Sequence, residues 1–196
     1  MRNQTLDYYD QNASSFVSET VSVDFRETQE RFLNKLQWGN FILDFGCGSG
    51  RDTKYFLKRG FHVEAIDGSE KLCKIASEYT GIEVKKMLFQ ELNEQGQYDG
   101  IWACSSILHL PKKELNLVFG RMTTALKARG ILYTSFKYGD FEGMRNGRYF
   151  TDFTTESFMC FMKDIRGLKV DEFWITKDVR PERGGEKWLN LMLQKI

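Results

Sequence analysis

Phe41-Ile42-Leu43-Asp44-Phe45-Gly46-Cys47-Gly48-Ser49-Gly50-Arg51-Asp52 decides how this chain folds. Its first five residues have the length of a buried strand, and a glycine at every second position then closes the run. Glycines at such a turn permit positive φ and remove side chains that would keep a ligand off the backbone. Thr53–Arg59 reads as helical until Gly60 stops it. A helix starting just beyond a strand end presents free N–H groups and a partial positive charge, to which polar or anionic ligand groups dock.

Outward from this turn the chain alternates. Phe61–Ile66 reads as a second strand, and a helix follows over Ser69–Glu78, stopped by Thr80-Gly81. Ile82–Leu88, Tyr98–Ala103 and Gly130–Phe136 read as three more strands, the last two separated by a helix over about Lys113–Lys127. Strand alternating with helix predicts a parallel sheet covered on both faces. Lys169–Thr176 and Lys187–Lys195 are strand-like but separated only by a loop around Pro181–Gly185, too short for a helical crossover, so they are expected to pair antiparallel. With only Pro111 and Pro181 as prolines, and neither a linker nor a repeat, no domain boundary announces itself. The expectation is a single domain over 1–196: a helical lid or cap at 1–30, carrying Tyr8, Tyr9, Phe16 and Phe25, and an α/β core at 31–196.

Composition narrows the function. At 196 residues and 41% apolar the chain can bury one substantial core. A net charge of +1 argues against a protein that coats nucleic acid by bulk electrostatics. The first 30 residues lean acidic and the last 76 basic, which reads either as solvated faces or as a local basic patch. Cys47, Cys73, Cys104 and Cys160 lack zinc-binding spacing and His62 and His109 are the only histidines, so reduced thiols and no metal are expected. Nothing at Met1–Thr20 resembles a signal peptide and no apolar run approaches a membrane span, which together predict a soluble cytoplasmic protein.

The spacing of the turn separates two ligand classes. A dinucleotide fold wants G-x-G-x-x-G, which would place a glycine where Arg51 stands. The pattern here is D-x-G-x-G-x-G. A carboxylate at Asp44, ending the strand, repels a pyrophosphate but tolerates a ligand bearing an ammonium and a sulfonium, which favours S-adenosylmethionine over NAD. Asp67 closes the second strand, where an acid in nucleoside-binding folds accepts hydrogen bonds from ribose hydroxyls; Gly68 and Ser69 let the chain turn and cap the next helix. The competing readings are a merely structural turn and, for Asp67, a plain helix-terminal acid.

On these residues the chain resembles the class I S-adenosylmethionine-dependent methyltransferases, over nearly its whole length. GCGSGRD (46–52), YDGIWACSSILHLP (98–111), LYTSFKYG (132–139) and DVRPERGGEKWLN (178–190) look like small bacterial enzymes grouped with the tellurite-resistance and thiopurine methyltransferases. The resemblance implies a Rossmann-like, seven-stranded, mostly parallel sheet with helices on both faces and an antiparallel last strand. It implies that Gly46, Cys47, Gly48 and Gly50 pass beneath the methionine part of the cofactor, with Asp44 toward its amino group, Asp67, Gly68 and Ser69 at the ribose, and Leu88 and Phe89 as walls of the adenine. The usual Asp for the adenine amino group is missing from Met87-Leu88-Phe89-Gln90, which leaves Gln90 as a stand-in. Ala103, Cys104 and Ser105 after the fourth strand, Tyr9 of the N-terminal segment, and Arg51 and Asp52 at the first helix complete the implied cofactor set; Arg51 and Asp52 read equally as charges paired with each other.

The activity expected is methyl transfer to a small-molecule acceptor, leaving S-adenosylhomocysteine. The alternatives are a non-catalytic S-adenosylmethionine-binding regulator and a methyltransferase acting on RNA or protein. His109 is the candidate base, because an imidazole titrates near neutrality, and it reads equally as a satisfied surface histidine before Pro111. Lys137, Tyr138, Arg148, Arg180 and Arg183, with Phe141, Tyr149 and Phe150, fall in loops after the later strands and suggest a small anionic or aromatic acceptor, or ordinary loop residues. The resemblance carries no N/D-P-P-Y/F motif, the mark of relatives that methylate a base or glutamine amide, and this argues against nucleic acid as the acceptor. No membrane and no obligate protein partner is inferred.

Overall fold

The apolar run that opens the sequence reading is strand β1 (Phe41–Phe45), and it lies inside a seven-stranded sheet. The structure, a computed structural model, describes residues 4–36, 39–180 and 184–196. Two helices, α1 (Gln4–Thr20) and α2 (Arg26–Leu33), precede β1; α3 (Arg51–Lys58), β2 (His62–Asp67), α4 (Glu70–Thr80), β3 (Val84–Lys86), β4 (Tyr98–Ala103), α5 (Lys112–Ala125) and β5 (Leu126–Lys137) follow. A hairpin of β6 (Glu142–Arg145) and β7 (Arg148–Thr151), helix α6 (Thr155–Phe161), and strands β8 (Leu168–Lys177) and β9 (Lys187–Lys195) complete the chain. The sheet runs β3-β2-β1-β4-β5-β9-β8. Strands β1 to β5 pair in parallel, and β9 is antiparallel to both β5 and β8, as the sequence predicts.

Why these runs are strands is visible in how they alternate. Ile42, Trp102, Ile131 and Tyr133 face one side of the sheet and pack with Phe32 and Phe56 of α2 and α3. Leu43, Ile101, Leu132 and Phe136 face the other and pack with Phe119 and Phe158 of α5 and α6. Both faces are covered, so the strands read as continuous apolar segments rather than alternating ones. The chain winds outward from β1 to β3 and then crosses back to β4 on the other side of β1. This reversal opens a crevice at the carboxyl ends of β1 and β4, where ligands bind in open α/β sheets.

Several segments depart from the sequence expectation: α6 was not anticipated, and α5 gives way to β5 at Leu126, ahead of the expected helix end at Lys127 and strand start at Gly130. Strand β3 keeps only Val84–Lys86 of the expected Ile82–Leu88, because it is the sheet edge with β2 as its one partner, and the chain turns away into a tight turn at Phe89–Glu91. The hairpin β6–β7 was not expected, although Asn146-Gly147 at its tip, with φ of 50° and 78°, is the residue pair that a two-residue hairpin turn favours. Helix α1 kinks at Asn12, whose Nδ2 donates to the Tyr8 carbonyl at 2.8 Å, and packs on α4 and β7 across the carboxyl edge of the sheet. No helix among the described residues is long and apolar enough to cross a membrane.

Trp102 ties the sheet to the ligand crevice: it is fully buried, stacks on Tyr133 at 4.1 Å between centroids, and donates its indole N–H to Asp52 at 2.8 Å. Trp102→Ala is expected to lower unfolding free energy by about 3–5 kcal/mol. Trp102→Phe, which keeps most of the volume but strips a donor from a buried carboxylate, is expected to cost about 1.5–3 kcal/mol. Urea denaturation of both variants checks the order.

Candidate functional site

Three positive-φ glycines shape the turn after β1. At Gly46 (φ 88°) an added Cβ would lie 2.5 Å from the Ser106 Cβ, and at Gly48 (φ 55°) 3.0 Å from the Phe16 ring. The amides of Gly46 and Cys47 both donate to the Ile66 carbonyl, which holds the turn against the end of β2. Gly48 then donates its N–H to Asp67 Oδ2 at 3.0 Å, while the Ser69 N–H donates to Oδ1 at 2.8 Å. Burial pushes the Asp67 carboxyl above its ordinary value, and these backbone donors oppose that shift.

Behind the turn stand two more acids with different fates. Asp52 accepts from Arg51 Nε at 2.8 Å, Gln29 Nε2 at 2.7 Å and Trp102 Nε1 at 2.8 Å, and it is held below the usual carboxylate range despite its burial. Asp44, 2% exposed, has one side-chain donor, Thr53 Oγ1 at 2.5 Å. Burial, and after it the charge on Asp52, push Asp44 up to about 8.

These elements line one cavity of about 210 Å³. Of the residues singled out in the sequence, Tyr9, Gly46, Cys47, Gly48, Arg51, Asp52, Asp67, Gly68, Leu88, Phe89, Cys104, Ser105, His109, Lys137, Arg148 and Arg180 share its wall. Six do not. Asp44 is buried beneath the turn; Gly50, in the turn, faces Ala76 and Thr80 of α4; Ser69 is buried as the cap of α4 and donates to Asp10; Ala103 is sealed in the core. Gln90 donates to Glu114 at the surface, so as placed it does not stand in for the missing adenine acid, and Tyr138 packs against the core. Arg183 lies outside the described residues. Phe16 and Phe25, named only as aromatics of the N-terminal segment, also line it, and sequence reasoning missed Thr5, Leu6, Ser135, Asp178, Trp188 and Asn190, for which no local pattern gives a signal.

The roof over the cavity joins α1 to the hairpin. Thr5 Oγ1 accepts from the Tyr149 N–H at 3.0 Å, and Tyr9 Oη lies 2.7 Å from His109 Nε2. His109 Nδ1 sits 2.6 Å from the Tyr149 carbonyl, which can only accept, so the ring proton is on Nδ1 and Nε2 accepts from the Tyr9 hydroxyl. Burial pushes the imidazole down to about 4 and the Tyr9 hydroxyl up. His109 is therefore neutral with its lone pair directed at Tyr9. An acceptor would reach that base only by displacing Tyr9 or through its hydroxyl. Lys137, half-buried and lowered to about 8, pairs with Glu186; Arg180 pairs with Asp178, which also accepts from Trp188.

Residues 42–130 match the family model of a methyltransferase domain. A ubiquinone biosynthesis O-methyltransferase of Dechloromonas aromatica is 34% identical over 80 residues, 37% of this chain and 34% of that protein. An 18S rRNA (guanine-N(7))-methyltransferase of Schizosaccharomyces pombe is 28% identical over 139 residues, 63% of this chain and 52% of that protein. The chain thus spans about a third to a half of the curated relatives it matches. Among solved structures, the Burkholderia thailandensis 1,6-didemethyltoxoflavin-N1-methyltransferase, with bound 1,6-didemethyltoxoflavin and S-adenosylhomocysteine, superposes with a TM-score of 0.75 at 20% identity, covering 97% of this chain and 84% of that one. The fold is that of the class I methyltransferases.

The His109 shift has a stability consequence with a definite sign. The unfolded chain takes up a proton near pH 6.5 and the folded chain only near pH 4, so this contribution is complete above about pH 6.5 and is lost as pH falls through that window. The difference amounts to about 3 kcal/mol. Denaturation of His109→Gln from pH 4 to 7.5 is expected to show a shallower pH slope than the unsubstituted protein; equal slopes contradict the neutral, buried assignment.

Proposed function

We propose that this chain, whose residues 42–130 form a methyltransferase domain, binds S-adenosylmethionine in the cavity and transfers its methyl group to a small molecule. The observation that carries the reading is the contact between the two motifs. The glycine turn and the acid ending β2 meet through the Gly48–Asp67 bond, leaving a bare backbone surface beside a buried carboxylate whose remaining lone pairs face the cavity. Asp67 accepts the ribose hydroxyls, Leu88 and Phe89 flank the adenine, and the backbone of Gly46 to Gly48 supports the methionine portion. Tyr9 closes over that portion from α1, and the charge of its ammonium acts on Asp44 through the turn that separates them.

The bound cofactor supplies a methyl group activated as a sulfonium. The residues of this chain supply position. Ser105, at the end of β4 with φ of 51°, is held by the Ser135 hydroxyl at 2.9 Å, and this fixes the floor where acceptor and methyl group meet. Such alignment of reacting groups is worth several kcal/mol. The roof of α1 and the hairpin covers the same cavity. A small molecule is favoured over RNA because this roof closes directly on the cavity, and because Lys137 and Arg180 are already paired with carboxylates. The rRNA methyltransferase among the relatives makes RNA the second reading.

Isothermal titration with S-adenosylmethionine, followed by an assay for release of S-adenosylhomocysteine, separates an enzyme from a binding protein without turnover. Asp67→Ala removes charge-assisted acceptors and is expected to weaken cofactor binding by about ten- to a hundredfold. Asp44 predicts a proton signature. It holds its proton near pH 7, and a ligand ammonium favours the ionised form, so binding is expected to release protons and to strengthen as pH rises toward 8. Titrations in buffers of different ionisation enthalpy measure the release, and Asp44→Asn is expected to abolish it.

A further inference from the structure

Among the described residues, five cationic side chains line the cavity: Arg51, Lys137, Arg148, Lys177 and Arg180. Arg51 is paired with Asp52, Lys137 with Glu186 and Arg180 with Asp178, while Lys177 stands exposed at the rim. Arg148 differs. No carboxylate pairs with it among the described residues; its one polar contact is a long bond to the Tyr9 hydroxyl at 3.4 Å, and its Nε is buried with no acceptor. The guanidinium lies 4.5 Å from the Tyr8 ring centroid and 5.1 Å from that of Phe150. Ring faces compensate a desolvated cation only partly, and a guanidinium offers five donors in a rigid fork.

This cation is held in place from behind. The hairpin tip presses on α1 so closely that a Cβ on Gly147 would lie 3.1 Å from the Tyr8 ring, and the Tyr149 amide is tied to Thr5. The Phe150 ring beside Arg148 and the His109 ring it faces at 4.8 Å between centroids belong to the same cavity wall, which Leu108 and Leu110 also line. We infer that the methyl acceptor is a small aromatic carboxylic acid, its carboxylate gripped by the Arg148 fork and its ring lodged against Phe150 and His109. The inference rests on the methyltransferase reading above and adds the chemical class of its acceptor. A planar carboxylate satisfies two parallel N–H donors at once, and in doing so supplies the counter-charge that the fold withholds.

The test uses the full chain saturated with S-adenosylhomocysteine and titrates matched pairs: 4-hydroxybenzoate against 4-hydroxybenzamide, anthranilate against anthranilamide, and nicotinate against nicotinamide. At least one acid is expected to bind about tenfold or more tightly than its amide. In Arg148→Leu the two members of that pair are expected to bind within about twofold of each other, with S-adenosylhomocysteine affinity kept as the check on folding; Arg148→Lys, which keeps charge but loses the fork, is expected to fall between. Equal binding of acids and amides, a preference that survives Arg148→Leu, or no binding of any acid to protein that does bind S-adenosylhomocysteine overturns the inference and leaves the methyltransferase reading standing. Failure to bind S-adenosylhomocysteine overturns that reading, and this inference with it.

Discussion

The hydrogen bond from the Gly48 amide to the Asp67 carboxylate joins the turn after β1 to the end of β2, and the geometry of the cavity depends on it. The two strands are neighbours in register, with Phe45 opposite Ile66, so the turn that leaves one necessarily arrives beside the acid that ends the other. The Ile66 carbonyl takes both the Gly46 and the Cys47 amides, and Asp67 takes the next one that is free. A side chain at Gly48 would drive the turn into Phe16 and break the contact between the strand end and α1.

Charge is distributed unevenly along the cavity. At the turn, three acids, Asp44, Asp52 and Asp67, are gathered with Arg51 as the nearest cation, and that arginine is committed to Asp52. Burial leaves the other two carboxyls reluctant to ionise, which suits a ligand that brings its own positive charge to that end. At the roof the sign reverses, with Arg148 lacking a counter-ion and depressing the neighbouring imidazole further.

The roof also couples distant parts of the chain. Tyr9, His109 and Tyr149 come from α1, the loop after β4 and the hairpin, and they form one continuous hydrogen-bonded line. None of the three has its partner within its own element, so the line exists only when the hairpin and α1 are both docked. The segment called a lid from its aromatic residues is thus a wall built jointly with β7.

Local pattern was enough to place the parallel core, the antiparallel end, the glycine turn and the acid after β2, because strand periodicity, turn chemistry and motif spacing are properties of neighbouring residues. Even the overlooked hairpin had its signal in Asn146-Gly147. Tertiary structure decided which motif residues line the cavity: Asp44 is buried beneath the turn, Gly50 faces α4, Ser69 caps a helix, Ala103 is sealed in the core, and Gln90 and Tyr138 point elsewhere. It also brought Asp178, Trp188 and Asn190 to the wall and, among the described residues, left Arg148 part-buried there without a carboxylate partner. The physical reason is separation along the chain: whether a charge is satisfied depends on groups that close packing delivers from elsewhere, as with Gln29 at Asp52 and Glu186 at Lys137, and no window of sequence contains both members of such a pair.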